Sequence, residues 1–187
     1  MKIVRREAAL DLRDDAGIRV AVIADTHSAP HPNAAVAIAA MRPDAILHAG
    51  DIGDVRVLDT FAAIAPVIAV RGNIDEHAPH LPDVVSLDVR SAGASVYKIL
   101  LLHIGVYGPK IRADAARLAH ASAARMVVCG HSHVPFIGKD KGLTVFNPGS
   151  IGPRRFTLPI VFGVLEIANG KLDLHHVDCE TGARWSP

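Results

Sequence analysis

The sequence predicts an α/β protein, a four-layer αββα sandwich in which two mixed β-sheets pack face to face with helices on their outer faces. Three observations lead to this prediction. Short apolar runs alternate with helical segments in the first half of the chain, whereas the second half consists mainly of strand-like runs. Half of the residues are apolar but only 4% are aromatic, which suits a closely packed aliphatic interior.

The first half of the chain predicts parallel βαβ units, because strands and helices alternate along it. Its apolar runs are short and rich in β-branched residues, which is typical of buried strands. In chain order the predicted elements are a strand at 19–24, a helix at 33–41, a strand at 45–48, a helix at 55–64 and a strand at 67–70.

The second half predicts a second, more antiparallel sheet. Its predicted strands lie at 84–89, 95–102, 126–129, 143–146, 160–167 and 171–177, with one helix at 113–124. Asn169-Gly170, between the last two strands, is a typical two-residue hairpin turn.

The length of 187 residues suits one domain with a substantial core. We therefore predict a single domain over residues 1–187, with its core over 18–177. The charged segment 1–17 is predicted to be an N-terminal extension, an appended arm or hairpin that takes no part in the site.

Charge and cysteine content exclude several functional classes. Lys and Arg number 20 against 19 Asp and Glu, so the chain lacks a basic footprint for bulk nucleic acid. Two cysteines are too few for a secreted disulfide scaffold. The N-terminal residues lack the apolar stretch of a signal peptide, and no run approaches the roughly 18 apolar residues of a membrane span. We predict a cytoplasmic protein without a membrane partner; whether it is a homo-oligomer stays open.

Five polar clusters stand directly after apolar runs, where the strands are predicted to end. They are Asp25-Thr26-His27, Gly50-Asp51-Ile52-Gly53-Asp54, Gly72-Asn73-Ile74-Asp75, His103 and Gly130-His131-Ser132-His133. Residues that follow neighbouring strands can meet at one edge of a sheet. Where extended geometry persists, alternation along the strand would also place Asp25 beside His27 and His131 beside His133.

Seven side chains of these clusters form a set of oxygen and nitrogen donors without a thiolate. They are Asp25, His27, Asp51, Asn73, His103, His131 and His133. Such donors suit Mn²⁺, Fe or Zn²⁺ better than Ca²⁺, which prefers oxygen alone, or Cu(I), which prefers sulfur. Each cluster alone is more simply a helix cap or a surface histidine. The ordered set favours a two-metal hydrolytic site.

In these motifs the chain resembles the calcineurin-like metallophosphoesterases, in particular their small YfcE-like phosphodiesterase branch. The family pattern D-x-H, G-D-x-x-D, G-N-x-D, a lone His after a strand and G-H-x-H occurs here in that order, between about Ile18 and Val177. The resemblance implies two divalent metal ions, preferably manganese, with iron, zinc or nickel as alternatives. It assigns one ion to Asp25, His27, Asp51 and His133, and the other to Asp51, Asn73, His103 and His131.

The resemblance also implies catalytic roles for Asp51, Asn73 and His103. Arg154 and Arg155 follow a loop, residues 147–150, that resembles the family's loop near the site, and they are candidates for contact with the substrate phosphate. The chain departs from the pattern in two places. Ile74 stands where many larger relatives carry a histidine that acts as general acid, and His103-Ile104-Gly105 replaces their His-Gly-His.

The predicted function is hydrolysis of small phosphodiesters by a metal-dependent phosphodiesterase with a metal-bridging hydroxide as nucleophile. The missing acid at Ile74 favours diesters with stable leaving groups. The alternatives are a phosphomonoesterase of the same fold and a protein-binding scaffold without catalysis, like the retromer subunit that shares this fold. Asp54 and Asp75 are predicted to cap loops or orient ligands, and His48 to pack against or support a ligand.

Overall fold

The computed structural model describes residues 3–12, 17–168 and 170–186. These residues contain two six-stranded sheets, a two-stranded ribbon and three helices, joined by loops. The helices are α1 (Ala34–Ala40), α2 (Val57–Ala62) and α3 (Ala113–Ala121). The strands are β1 (Arg5–Asp11), β2 (Ile18–Ile23), β3 (Ala45–His48), β4 (Val67–Ala69), β5 (Val84–Ser91), β6 (Ala94–Leu102), β7 (Val106–Tyr107), β8 (Lys110–Ile111), β9 (Met126–Val128), β10 (Phe136–Asp140), β11 (Leu143–Asn147), β12 (Val161–Ala168), β13 (Lys171–Asp178) and β14 (Arg184–Trp185). None of these helices is long and apolar enough to span a membrane.

Both large sheets mix parallel and antiparallel strands. The first has the order β4-β3-β2-β12-β13-β14, in which β2, β3 and β4 are parallel and β12 is antiparallel to β2. The second has the order β1-β5-β6-β9-β11-β10, in which β6, β9 and β11 are parallel and β5 is antiparallel to β6. The predicted βαβ units and mixed sheets are therefore confirmed.

Alternation of side chains along the strands separates three apolar layers. Val22 of β2 and Leu101 of β6 belong to the core between the two sheets. The neighbouring Ile23 packs with the helices α1 and α2, whereas Leu100 packs with α3 on the opposite side of the molecule. Two sheets with helices outside them form the predicted αββα sandwich.

The N-terminal segment forms an edge strand of the second sheet, so the predicted arm or hairpin is wrong for the described residues. Strand β1 runs parallel to β5, from the pair Arg5 and Val84 to the pair Asp11 and Arg90. The physical reason is that Ala8, Leu10 and Leu12 lie two residues apart, face the same side of the strand and pack against the core between the sheets. Residues 1, 2 and 13–16 lie outside the described part of the chain.

The C-terminal strands also differ from the prediction, because β12 and β13 join the first sheet rather than the second. Strand β12 covers the side of β2 that β3 leaves free, which satisfies the backbone groups of β2 on both sides. The hairpin between β12 and β13 is present, with Ala168 paired to Lys171, although Asn169 of the predicted turn lies outside the described residues. Strand β14 extends this sheet beyond residue 177.

Candidate metal centre

The loops that follow β2, β3, β4, β6 and β9 converge at one edge of the sandwich. The amide of Asp25 donates a hydrogen bond to the carbonyl of Gly50 (2.9 Å), and the amide of Gly130 donates to the carbonyl of His103 (3.0 Å). Close approach of the loops requires glycine, since a Cβ atom on Gly72 would lie 2.1 Å from Oδ1 of Asp51. The five polar clusters of the sequence therefore meet in one place.

The seven predicted ligands form an uninterrupted series of contacts. In order, these are Asp25 Oδ1 to His133 Nε2 (3.5 Å), His133 Nε2 to His27 Nε2 (3.3 Å), His27 Nε2 to Asp51 Oδ2 (3.8 Å), Asp51 Oδ1 to His103 Nε2 (3.1 Å), His103 Nε2 to Asn73 Oδ1 (3.1 Å) and Asn73 Oδ1 to His131 Nδ1 (3.0 Å). The two oxygens of Asp51 face opposite ends of this series.

The series divides into two groups on either side of Asp51. We call Asp25, His27 and His133 the inner cluster, and Asn73, His103 and His131 the outer cluster. In the inner cluster Asp25 and His133 are buried, whereas Asn73 and His131 of the outer cluster are exposed. Potential ligand atoms of the inner cluster all lie within 4.8 Å of one another, as do those of Asp51, His103 and His131.

Left-handed backbone conformation, not strand alternation, brings several of these side chains together. The φ angles are 56° at Asp25, 45° at His27, 55° at Asp51, 70° at His131 and 59° at His133. The expected extended geometry therefore does not persist past the ends of β2 and β9. Residues with side chains rarely adopt this region, and such strain is typical of functional sites.

The loss of extended geometry separates two histidines that the alternation had placed together. His133 joins the inner cluster and His131 the outer one. The amide of His131 donates to Oδ2 of Asp25 (3.0 Å), so the same loop also fixes a carboxylate of the inner cluster.

The ring of His103 presents one defined nitrogen to the site. Its Nδ1 lies 2.7 Å from the carbonyl oxygen of Ala49, which can only accept, so Nδ1 carries a proton. Its Nε2 then faces acceptor oxygens of both Asp51 and Asn73. A nitrogen between two acceptors needs a proton or a cation, and a backbone carbonyl behind the ring is a common support for metal-binding histidines.

Electrostatic effects on the two carboxylates are opposite. Burial raises the pKa of Asp25 to about 7, with the charge of Asp51 adding to this effect and His103 opposing it. Burial also raises the pKa of Asp51, but the hydrogen bond and charge of His103 and the amide of Ile74 outweigh it and lower the pKa to about 2. The positive charge near Asp25 therefore does not offset the effect of its burial.

Three imidazoles are held in the neutral form that binds metals. Burial, together with the charge of Arg155, lowers the pKa of His133 to about 4. Burial also lowers the pKa of His27, although Asp51 opposes the effect. Burial and the charge of His103 lower the pKa of His131.

The chain matches the calcineurin-like phosphoesterase superfamily domain over residues 18–170. It belongs to this superfamily. A probable metallophosphoesterase of Methanothermobacter thermautotrophicus is 33% identical over 171 residues, which cover 88% of this chain and 93% of the relative. The predicted family is therefore confirmed.

Solved structures share the fold at lower identity. The phosphoesterase YfcE from E. coli is 19% identical, with a TM-score of 0.58, covering 90% of this chain and 97% of its own. An archaeal phosphodiesterase is 20% identical, with a TM-score of 0.66, covering 86% of this chain and 100% of its own. Vacuolar protein sorting 29 from Cryptosporidium parvum is 18% identical, with a TM-score of 0.73, covering 91% of this chain and 96% of its own. These likenesses agree with the predicted sandwich.

Divalent metal ions, which membership of the metallophosphoesterases implies, fit the residues present. The donors are carboxylate, amide and imidazole, a set suited to Mn²⁺, Fe or Zn²⁺. Two neutral imidazole nitrogens face each other between His27 and His133, and the carboxylate of Asp25 lies uncompensated beside them. A cation would satisfy all three groups at once.

A buried carboxylate ties two of the site loops together. Asp75 accepts hydrogen bonds from the amides of Gly72 (2.6 Å), Ile52 (3.1 Å) and Gly53 (2.8 Å), and so fixes the turns that carry Asp51 and Asn73. Asp54, by contrast, is only partly buried and pairs with Arg56. Of the two carboxylates predicted to cap or orient, Asp75 is thus the one that supports the candidate ligands.

Two supporting residues were not singled out by the sequence. Thr26 is buried, donates to the carbonyl of Ile52 (3.0 Å) and contacts Nε2 of His48 (3.1 Å). Ser150 donates to the carbonyl of Asp25 (3.0 Å). Thr26 is the middle residue of the Asp-x-His motif, and Ser150 ends the loop 147–150. Their positions in these motifs are the only feature of the sequence that could have indicated a supporting role.

The two candidate arginines point in different directions. Nη2 of Arg155 lies 3.2 Å from Nε2 of His27, at the edge of the inner cluster. Arg154 pairs with Glu180 (2.5 Å) and donates to the carbonyl of Leu158 (2.9 Å). The structure therefore brings Arg155, and not Arg154, to the site of this metallophosphoesterase.

Proposed function

We propose that this metallophosphoesterase is a phosphodiesterase that hydrolyses small phosphodiesters with two divalent metal ions, in one domain over residues 1–187. The observation that carries the proposal is the uninterrupted series of seven donors, in which the two oxygens of Asp51 face separate clusters. Manganese is the preferred metal, with iron, zinc or nickel as alternatives. The cytoplasmic location stays a prediction.

The residues divide into two ligand sets that share one carboxylate. Asp25, His27 and His133 with Asp51 would hold the first ion, and Asn73, His103 and His131 with Asp51 would hold the second. When bound, the ions supply an acidified water as nucleophile and neutralise charge on the phosphoryl oxygens. The donors are supported by the strained loops and by Asp75, so their positions are fixed before substrate arrives.

Arg155 is the phosphate-binding residue in this proposal. Its guanidinium lies in front of His27 Nε2, the nitrogen assigned to the first ion. Because a cation at this nitrogen would repel the guanidinium, Arg155 would turn to an anionic oxygen of the substrate. A guanidinium is well suited to hold such an oxygen.

The preference for diesters rests on residue 74. Ile74 is exposed at the site, with 41% of its surface accessible, and has no proton to give to a leaving alcohol. Its amide instead donates to Oδ1 of Asp51 (3.2 Å). Substrates whose leaving groups need no protonation are therefore favoured.

Turnover of two chromogenic substrates tests the proposal. The Mn²⁺-loaded protein should hydrolyse bis(p-nitrophenyl) phosphate with a higher kcat/KM than p-nitrophenyl phosphate, and Asp51→Asn should lower this activity by on the order of 10³-fold. A higher kcat/KM for the monoester would make the protein a phosphomonoesterase. Metal binding without turnover of either ester would favour the scaffold, and unchanged activity in Asp51→Asn would remove the proposed centre.

A further inference from the structure

A groove of about 740 Å³ opens beside the outer cluster, between helix α3 and the loop that follows β4. Asn73 and His103 line this groove as well as the metal centre, so the two spaces are continuous. The roles proposed above for the phosphoryl group use none of the other residues that line it.

One wall of the groove is apolar. Val84 and Leu102 form its base, at the start of β5 and the end of β6, and are 5% and 7% exposed. Ile104 and Leu118 are partly exposed and extend the wall towards solvent. A concave apolar surface next to convergent polar groups is typical of a small-molecule subsite.

Among the described residues, no Lys or Arg that lines the groove is free to bind a phosphate. Among its described lining residues Arg71 is the only Lys or Arg, and Asp83 accepts two hydrogen bonds from it, at 2.6 and 3.1 Å. Asp114, at the far side, faces Arg112 (3.2 Å). Glu76 on the loop after β4 is exposed and adds negative charge.

We propose that this groove is the subsite for one ester substituent of the substrate, and that it selects uncharged, largely apolar alcohols over alcohols that carry a second phosphate. The inference rests on the proposed phosphodiesterase function. An apolar substituent gains by burial against Leu102 and Leu118. A second phosphate would lose hydration beside Glu76 without gaining a free cation.

Calorimetric titration of phosphate monoesters into the Mn²⁺-loaded protein tests the apolar wall separately from turnover. Phenyl phosphate should bind about tenfold more tightly than methyl phosphate. Leu118→Asp should remove this advantage, so that phenyl phosphate and methyl phosphate bind with similar affinity. Val36→Asp changes an exposed apolar residue of α1, outside the groove, and should keep the advantage.

A second pair of ligands tests the charge of the groove. Thymidine 5′-phosphate should bind about tenfold more tightly than thymidine 3′,5′-bisphosphate. Glu76→Lys should remove or reverse this preference. Because Glu76 is exposed, this variant also provides a test that does not depend on the folding of Leu118→Asp.

Two results would overturn the subsite: equal affinities for phenyl and methyl phosphate in the wild type, or an advantage of phenyl phosphate that survives Leu118→Asp. A wild-type preference for the bisphosphate would overturn the charge selection. Failure of the proposed function is distinguishable, because the affinities would then follow the expected ratios while no diester is hydrolysed. Binding of none of the four ligands would overturn both proposals.

Discussion

The inner and outer clusters of the candidate centre use similar donors in different surroundings. The inner cluster is built around the fully buried Asp25 and the buried His133, whereas Asn73 and His131 of the outer cluster are exposed and Asn73 also lines the groove. Asp51 contacts both. From this difference we expect the inner cluster to retain a cation tightly, and the outer cluster to exchange its cation with solvent and to contact substrate.

The two clusters also differ in what holds them. Asp25 is fixed by the amide of His131, and its own carbonyl accepts from Ser150. Asn73 contacts only side chains of its own cluster in the hydrogen bonds described, His103 and His131. Asp25 is therefore held in place by the surrounding protein, whereas the position of the Asn73 side chain would depend more on a bound cation.

The largest effect should come from the residue that joins the clusters. Asp51→Asn removes the negative charge that both ions would share, and we expect kcat for bis(p-nitrophenyl) phosphate to fall by on the order of 10³-fold. Asp54→Asn is the matched control, since Asp54 pairs with Arg56 away from the ligands. Similar losses in both variants would argue against a shared carboxylate.

A ligand substitution in the inner cluster and one in the outer cluster should have different effects on kcat and on the Mn²⁺ dependence of activity. Asp25→Asn should lower kcat about 100-fold even at saturating Mn²⁺, because the inner ion would lose its buried carboxylate. Asn73→Ala should instead raise the Mn²⁺ concentration for half-maximal activity by about tenfold and recover kcat when Mn²⁺ is saturating. Mn²⁺ titrations of activity measure both, and the reverse pattern would break the proposed distinction between the clusters.

Of the two arginines in the loop beside the inner cluster, only Arg155 should affect kcat/KM when it is replaced. Arg155→Ala should reduce kcat/KM by about tenfold to 100-fold, because a charged hydrogen bond to the phosphate is lost. Arg154→Ala should change kcat/KM by less than about twofold, since Arg154 pairs with Glu180 in a surface ion pair of small worth. Steady-state kinetics on one diester compares them, and equal losses would remove the assigned role of Arg155.

The smallest expected effect concerns the support of the outer cluster. Asp75→Asn weakens the bonds to three backbone amides and should lower the free energy of unfolding by about 1–3 kcal/mol. Urea unfolding of the metal-free protein measures this value. Because Asp75 fixes the turns of Asp51 and Asn73, Mn²⁺ affinity should fall as well; unchanged stability and affinity would mean that the loops are held by other contacts.

Much of the fold and of the site could be predicted from local sequence. Apolar runs ending in polar motifs located the strands β2, β3, β4, β6 and β9, and the order of the motifs indicated the ligands. The pairing of β12 with β2 could not be predicted, because it depends on which strand edge is left free after the sheet forms. Strand β1 was missed because it begins with three charged residues and because Ala9, between Ala8 and Leu10, hides the alternation of buried and exposed positions.

Details of the site escaped prediction for a different reason. The left-handed turns at Asp25 and His131 depend on loop contacts that periodicity does not encode. Adjacent residues can also diverge, as Arg154 and Arg155 do, because the direction of each side chain is decided by distant partners such as Glu180 and His27. The sequence motif therefore indicated which loop lies near the site, but only tertiary contacts determine that Arg155 rather than Arg154 faces it.

The most direct test of the central claim is anomalous X-ray diffraction from crystals of the Mn²⁺-loaded protein. We predict two anomalous peaks roughly 3.5–4 Å apart, with Asp51 in contact with both. One peak should lie among Asp25, His27 and His133, and the other among Asn73, His103 and His131. A single peak, two peaks without Asp51 between them, or no peak at this edge of the sandwich would contradict a two-metal centre built on a shared carboxylate.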